Sequence, residues 1–160
     1  MAPRVRIRSK DVRQTTPNTP ARDVGEENTT RGRYFEADCL ATDVVGDFVY
    51  INGAPVSGFF QVTRVDITNP SHLPTVGIIV EKSTTTRCFV QRFGLIDVST
   101  FPSAPTLVPQ SKYWIGFDGR LRDTLPEPVS GVAVAQLVGQ ALSTTELLLL
   151  EGSQPFKLRR

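Results

Sequence analysis

The sequence predicts an all-β protein, a small antiparallel β-barrel or sandwich with an extended N-terminal arm. Short runs rich in Val, Ile, Phe and Thr recur from Tyr34 onward, each bounded by Gly, Pro, Asn or Asp. Helix signals are nearly absent from the same region. The first 33 residues contain few large apolar side chains and cannot form a core of their own.

Length and composition fit one domain with one core, since the chain has 160 residues, of which 39% are hydrophobic and 21% charged. We divide it into an arm (1–33), a β domain (34–152) and a basic C-terminal tail (153–160). Residues 1–33 hold eight bases and four acids, whereas residues 34–156 hold seven bases and twelve acids. Both ends are therefore basic and the body is mildly acidic. No run is long and apolar enough to span a membrane or to form a signal peptide, so we expect no membrane partner.

The arm begins with bases that alternate with other residues, a period of two that places every base on one face of an extended strand. Two prolines and a glycine follow and favour an extended connector. Such an arm could pair with a neighbouring sheet edge, or it could be a solvated, flexible tail. The candidate partner-binding residues of the arm are Arg4, Val5, Arg6, Ile7, Arg8, Lys10 and Arg13.

Nine runs of the β domain are predicted to be strands. They cover residues 36–41, 47–51, 59–67, 75–81, 87–91, 95–98, 112–115, 132–138 and 145–150. Asn52-Gly53 and Asp118-Gly119 tolerate the positive φ that tight hairpin turns require. The segment 131–150 could be read as a helix, but its alternation, two glycines and β-branched pair favour two strands.

Catalytic and metal-binding patterns are weak. His72 is the sole histidine, and a triad with Ser71, Ser83 or Ser130 would lack the usual local motif around the serine. Asp38, Asp43 and Asp47 are close in sequence, as a carboxylate pair for glycoside cleavage would require, but Asp43 and Asp47 suit turn initiation better. No calcium loop or phosphate-binding glycine motif occurs. We expect no enzyme activity, no cofactor and no metal.

Cysteines and aromatic residues are read first as core. Cys39 and Cys88 are too few for a disulfide framework or a closed zinc site, although one isolated bridge stays open. Most of the strand aromatics should face the core. They include Phe48, Tyr50, Phe59, Phe60, Phe89, Phe93, Tyr113 and Trp114. Adjacent aromatics cannot both point inward, so one of Phe59 and Phe60, and one of Tyr113 and Trp114, is a candidate contact for a partner or a glycan.

Several runs occur in an order that resembles a module of tailed-bacteriophage virion proteins. These runs are VGIIVEKSTTTRCFVQRFGLIDV, LVPQSKYWIGFDGRL and VSGVAVAQLVGQALSTTELLL, after an opening VVGDFVY. The matching positions are Asp47, Val49, Tyr50, Gly77, Gly94, Tyr113, Gly119, Leu121, Val138, Gly139, Ala141, Leu142, Ser143 and Leu147. The resemblance covers about residues 39–150. The chain departs from the module at Gln110-Ser111, where a glycine is usual, and at Trp114.

The resemblance implies a non-enzymatic virion structural protein, assembled in the host cytoplasm and located in the virion. The leading hypothesis is a capsid decoration (cement) protein that binds the major capsid protein and neighbouring virion subunits, as a homo-oligomer with a trimer favoured. The arm could reach roughly 100 Å at about 3.3 Å per residue. The alternatives are a neck, baseplate or fibre adaptor or receptor-binding protein, and a carbohydrate-binding domain that uses Tyr113 or Trp114. Nucleic acid is an unlikely partner, because the arm has bases but no interleaved aromatics.

Overall fold

A computed structural model of the chain describes residues 32–102, 104–127 and 133–158. The chain divides into two units, residues 1–33 and residues 34–160, and the elements below belong to the second. Within the described residues this unit contains twelve strands. They are β1 (Tyr34–Asp38), β2 (Phe48–Val56), β3 (Phe59–Arg64), β4 (Gly77–Thr84), β5 (Arg87–Gln91), β6 (Gly94–Asp97), β7 (Lys112–Ile115), β8 (Leu121–Arg122), β9 (Ala133–Ala135), β10 (Leu137–Ala141), β11 (Glu146–Leu149) and β12 (Phe156–Leu158). A short 3-10 helix covers Pro70–His72.

The first five strands form a closed barrel in the order β1-β3-β2-β4-β5. The barrel closes because β1 pairs on both sides, antiparallel with β5 and parallel with β3. The prediction of an all-β barrel is thus confirmed. The parallel β1–β3 pair, at Ala37↔Phe60 and Asp38↔Gln61, is the one exception to antiparallel pairing among the described strand pairs of the barrel.

A second sheet has the strand order β6-β11-β10-β7-β8, and β9 pairs separately with β12. Alternate residues of this sheet face inward and are buried, as the period of a strand requires. Leu147 and Leu149 are examples, since they point into the core while their neighbours Leu148 and Leu150 are exposed. No helix among the described residues is long and apolar enough to cross a membrane.

Two hydrophobic cores hold the unit together. One fills the barrel and consists of Ala37, Cys39, Val49, Val62, Ile79, Cys88 and Val90. The other lies under the second sheet and also takes in Phe48 and Ile78, which belong to barrel strands β2 and β4. Neighbouring residues of β2 and of β4 therefore belong to different cores, so these two strands pack against the second sheet as well as against the inside of the barrel.

One predicted hairpin turn is wrong and the other is confirmed. Strand β2 continues through Asn52-Gly53, where its register with β3 shifts, and the turn comes at Ser57-Gly58. Both turn residues have positive φ, 51° and 84°, which suits a two-residue hairpin. Gly119, with φ 75°, lies in the turn between β7 and β8 as expected.

The segment 131–150 is strand rather than helix, as predicted, but the strands lie differently. Val134 belongs to β9, and the hairpin is formed by β10 and β11. Strand β9 instead pairs with β12, which the sequence analysis placed in a basic tail. The short strand β8 was also not among the predicted strands.

Candidate partner-binding surfaces

The β2–β3 hairpin carries exposed apolar side chains at one end of the barrel. All residues from 51 to 58 are exposed. Ile51, Val56 and Phe60 are 44%, 57% and 43% exposed. Phe60 meets the ring of Phe35 edge to face, with 5.5 Å between centroids. Val56 is directly opposite Phe59 and so lies on the other face of the hairpin from Phe60. We call Ile51 and Phe60, with Phe35, the hairpin patch.

Phe59 lies beneath a guanidinium group on the outside of the barrel. The Arg87 guanidinium carbon stands 3.7 Å from the centroid of the Phe59 ring. The same guanidinium donates from Nε to Asp38 Oδ1 at 2.7 Å, and its Nη1 lies 3.4 Å from a Glu36 carboxylate oxygen. Hydrogen bonds from the side chains of Gln61, which has the larger effect, and Arg87 hold the pKa of Asp38 below its usual value. These contacts hold the start of strand β3 against strands β1 and β5.

Exposed leucines gather on the outer face of the second sheet. Leu95 and Leu148 are directly opposite each other on β6 and β11. Leu150 follows Leu148 on the same face, and Leu142 follows Gln140, the β10 partner of Leu148. Their exposures run from 38% to 54%. We call Leu95, Leu142, Leu148 and Leu150 the leucine face.

Charges of opposite sign flank the leucine face. On one side, Asp97 and Glu146 are directly opposite each other in the ladder. On the other side, Lys112 is opposite Gln140 and Arg122 is opposite Trp114. Like charges directly opposite each other destabilise a sheet, so the acidic pair would be stabilised by a basic group from a neighbour.

The adjacent aromatics Tyr113 and Trp114 point to opposite faces of β7. Tyr113 is fully buried, and its hydroxyl accepts a hydrogen bond from Val108 N–H at 2.8 Å. Trp114 is half-buried and contacts Phe156 edge to face at 6.1 Å. Phe156 therefore occupies space next to the Trp114 ring that a glycan would use.

The broader prediction that strand aromatics fill the core is mostly wrong. Of the eight aromatics named from the sequence, only Phe48 and Tyr113 are buried, and Phe60 is exposed. Several of the others are half-buried rather than part of a core, because other side chains partly cover them: Arg87 lies over Phe59, His72 stacks on Tyr50, and Phe156 contacts Trp114. Cys39 and Cys88 are buried and unbridged, as expected of core residues.

The carboxylates take structural roles. Asp43 Oδ2 accepts a hydrogen bond from Leu40 N–H at 2.8 Å, and Asp47 Oδ2 accepts one from Val44 N–H at 2.9 Å. Both carboxylates bond to nearby backbone amides in turns, as predicted, but each ends its turn rather than starting it, because Asp43 N–H donates to Leu40 O and Asp47 N–H donates to Val44 O. Asp47 also pairs with Arg120 Nε at 2.9 Å, although its side chain is fully buried. No group of three or more potential metal ligands occurs in the described part of the chain.

His72 ends the short helix and lies half-buried against the barrel. Its ring stacks on Tyr50 with 3.9 Å between centroids, and its Nδ1 accepts a hydrogen bond from Asp66 N–H at 3.1 Å. Ser71 bonds instead to Asn69. Ser130 lies outside the described residues. These contacts give His72 a packing role.

The predicted arm residues Arg4, Val5, Arg6, Ile7, Arg8, Lys10 and Arg13 lie outside the described residues. Sequence reasoning missed the leucine face and most of the hairpin patch. The alternation of the run 147–150 could have revealed two outward leucines, since a strand exposes every second residue. Ile51 was hidden by the misplaced turn. Compared with protein-family models, curated proteins and solved structures, the chain matches none.

Proposed function

We propose that this protein is a non-enzymatic structural protein of a bacteriophage virion, and specifically a capsid decoration protein. In this role its β domain and its N-terminal arm bind the major capsid lattice. The observation that carries the proposal is the hairpin patch, because the large apolar side chains of Ile51 and Phe60 are exposed on one hairpin of the barrel. Exposed apolar patches of this kind are typical of protein-binding sites.

Three of the positions behind the resemblance, Gly77, Gly139 and Ser143, have clear structural roles, which supports the proposed module. A Cβ at Gly77 would overlap Gln91 O, and one at Gly139 would lie 2.7 Å from Leu148 O. Ser143 Oγ accepts hydrogen bonds from two amides of the β10–β11 turn, those of Thr145 and Glu146.

Two separate apolar surfaces suit a lattice protein, which must contact its own copies and the shell. We assign the leucine face to contacts between copies, because Lys112 on one flank is opposite in charge to Asp97 and Glu146 on the other, so the flanks of two copies can pair. We assign the hairpin patch to the shell, because a projecting hairpin can enter a recess in a partner. Many copies on a symmetric shell then add modest contacts.

Replacing Phe60 by serine is expected to lower the affinity for capsid shells at least about tenfold, since buried aromatic anchors contribute most to protein interfaces. The measurement is co-sedimentation of the purified protein with empty shells assembled from the major capsid protein of the same virus. Val108→Ser is the matched control, because Val108 is 56% exposed in a loop outside the hairpin patch.

Unchanged binding of the Phe60→Ser protein at full thermal stability would contradict the role given to the hairpin patch. The copy number per particle, measured by quantitative mass spectrometry, tests the position in the virion. A simple ratio to the major capsid protein supports decoration. A handful of copies would favour the neck, baseplate or fibre reading, and absence from particles would overturn the virion proposal.

Leu148→Lys is expected to convert the oligomer, a trimer under this proposal, to monomers by placing a charge in the middle of the leucine face. Sedimentation equilibrium measures the mass of both proteins. Leu40→Lys is the control, since Leu40 is 52% exposed in the loop after β1. A monomeric wild type, or a variant with the wild-type mass, would refute the assignment of this face.

A further inference from the structure

Two cysteines from distant parts of the chain meet inside the barrel. Cys88 lies on β5, directly opposite Ala37 of β1. Cys39 follows the end of β1 and extends the ladder, because its N–H donates to Thr86 O at 2.9 Å. Residues two apart on a strand share a face, so Cys39 and Cys88 are diagonal neighbours on the inner face of the barrel.

The two thiols lie close enough to affect each other. Interaction between them lowers the pKa of Cys39 and raises that of Cys88. Both belong to the barrel core, with exposures of 6% and 0%. The chain has only these two cysteines, so no other thiol competes for either sulfur.

The loop after Cys39 is held in place and lies at the surface. Lys82 Nζ donates to Asp43 O at 2.7 Å and to Leu40 O at 3.2 Å. Residues 40–42 are exposed, so local opening of this loop gives a small reagent access to Cys39 before Cys88. Burial raises the pKa of both thiols, which keeps them protonated and slow to react in the closed barrel.

We propose that Cys39 and Cys88 form an intramolecular disulfide when the protein meets an oxidising low-molecular-weight disulfide. The Cys39 thiolate attacks one sulfur of the reagent, for example oxidised glutathione, and releases one thiolate. The Cys88 thiolate then attacks Cys39 Sγ in the mixed disulfide and releases the second. The two protons lost by the cysteines pass to the released thiolates, so two cysteine thiols are oxidised and one reagent disulfide is reduced.

The bond would fasten the end of β1 to β5. Strand β1 follows residues 1–33 directly, and its pairing with β3 rests on two residue pairs. A covalent link at residue 39 would therefore secure the strand that joins the N-terminal segment to the barrel. The closed loop, from residue 39 to residue 88, is long enough for a large entropic effect on the unfolded chain.

The test refolds the reduced full-length protein at pH 8 in buffers of reduced and oxidised glutathione, then labels free thiols with iodoacetamide. We expect a wild-type species with no label and no glutathione adduct. Its Tm should exceed that of the reduced protein by about 10 °C. Cys39→Ala and Cys88→Ala are the controls, and each should show no redox-dependent Tm.

Two results would overturn the proposal. One is a wild-type protein that keeps two labelled thiols, or carries glutathione, in every buffer. The other is an oxidised protein with a Tm at or below that of the reduced protein, which would show that the bond distorts the barrel. Both readouts come from the wild-type chain, so the test does not depend on the folding of either variant.

Discussion

Replacing Arg120 by methionine is expected to lower the free energy of unfolding by about 3–5 kcal/mol, because it leaves a buried carboxylate without its cation. The Asp47 side chain is fully buried, and Arg120 Nε lies 2.9 Å from its Oδ1. Methionine keeps much of the length of arginine but cannot donate a hydrogen bond. Urea denaturation followed by tryptophan fluorescence measures the change.

A second ion pair supplies the control for this prediction. Arg122 pairs with Asp118, and both side chains are more than a third exposed. Since exposed ion pairs contribute about 0–1 kcal/mol, Arg122→Met should change stability little. In the Arg120→Met background, Asp47→Asn should recover part of the loss by removing the buried charge. Equal losses for Arg120→Met and Arg122→Met would contradict the importance of burial here.

Gly77→Ala is expected to cost about 3 kcal/mol or more, which corresponds to a decrease of about 6–12 °C in Tm. A Cβ at this position would overlap the backbone carbonyl oxygen of Gln91 and would lie 2.6 Å from Val90 Cγ1. Strands β4 and β5 are neighbours in a closed barrel, so they cannot separate without disturbing the remaining strands. Thermal unfolding by circular dichroism gives the decrease in Tm.

Gly53→Ala is the matched substitution, because it is also a strand glycine and the nearest atom to its added Cβ would be Gln61 Cβ at 3.8 Å. That distance is ordinary van der Waals contact, so we expect a change within about 0.5 kcal/mol. A Gly77→Ala protein as stable as the Gly53→Ala protein would show that β4 and β5 separate easily at this point.

Local patterns predicted the strands well where composition and turn chemistry agree. Strands β5 and β7 have the predicted bounds, since β-branched and aromatic residues fill them and turn residues flank them. The same patterns failed where a contact between segments distant in sequence determines the turn or the strand. Asn52-Gly53 is a strong turn signal, yet Ser57-Gly58 makes the turn because β3 pairs with β2 as far as Val56. Strand β12 forms by pairing with β9, so no pattern within its own three residues predicts it.

The candidate surfaces were only partly predictable. Phe60 and Trp114 were named because adjacent aromatics must point to opposite faces of a strand. The leucine face depends on the register between β6 and β11, which sets Leu95 against Leu148 and cannot be read from either strand alone. The Asp47–Arg120 pair is likewise a contact between barrel and second sheet, far apart in sequence.

The closure of the barrel through β1 has a consequence for the order of folding. Tyr34 pairs with Gln91, so the antiparallel hydrogen bonds of β1 cannot form until β5, the last strand of the barrel, is present. Long-range pairings of this kind are slow to form, because a long loop must close first. During synthesis, the barrel therefore cannot close until Gln91 has left the ribosome.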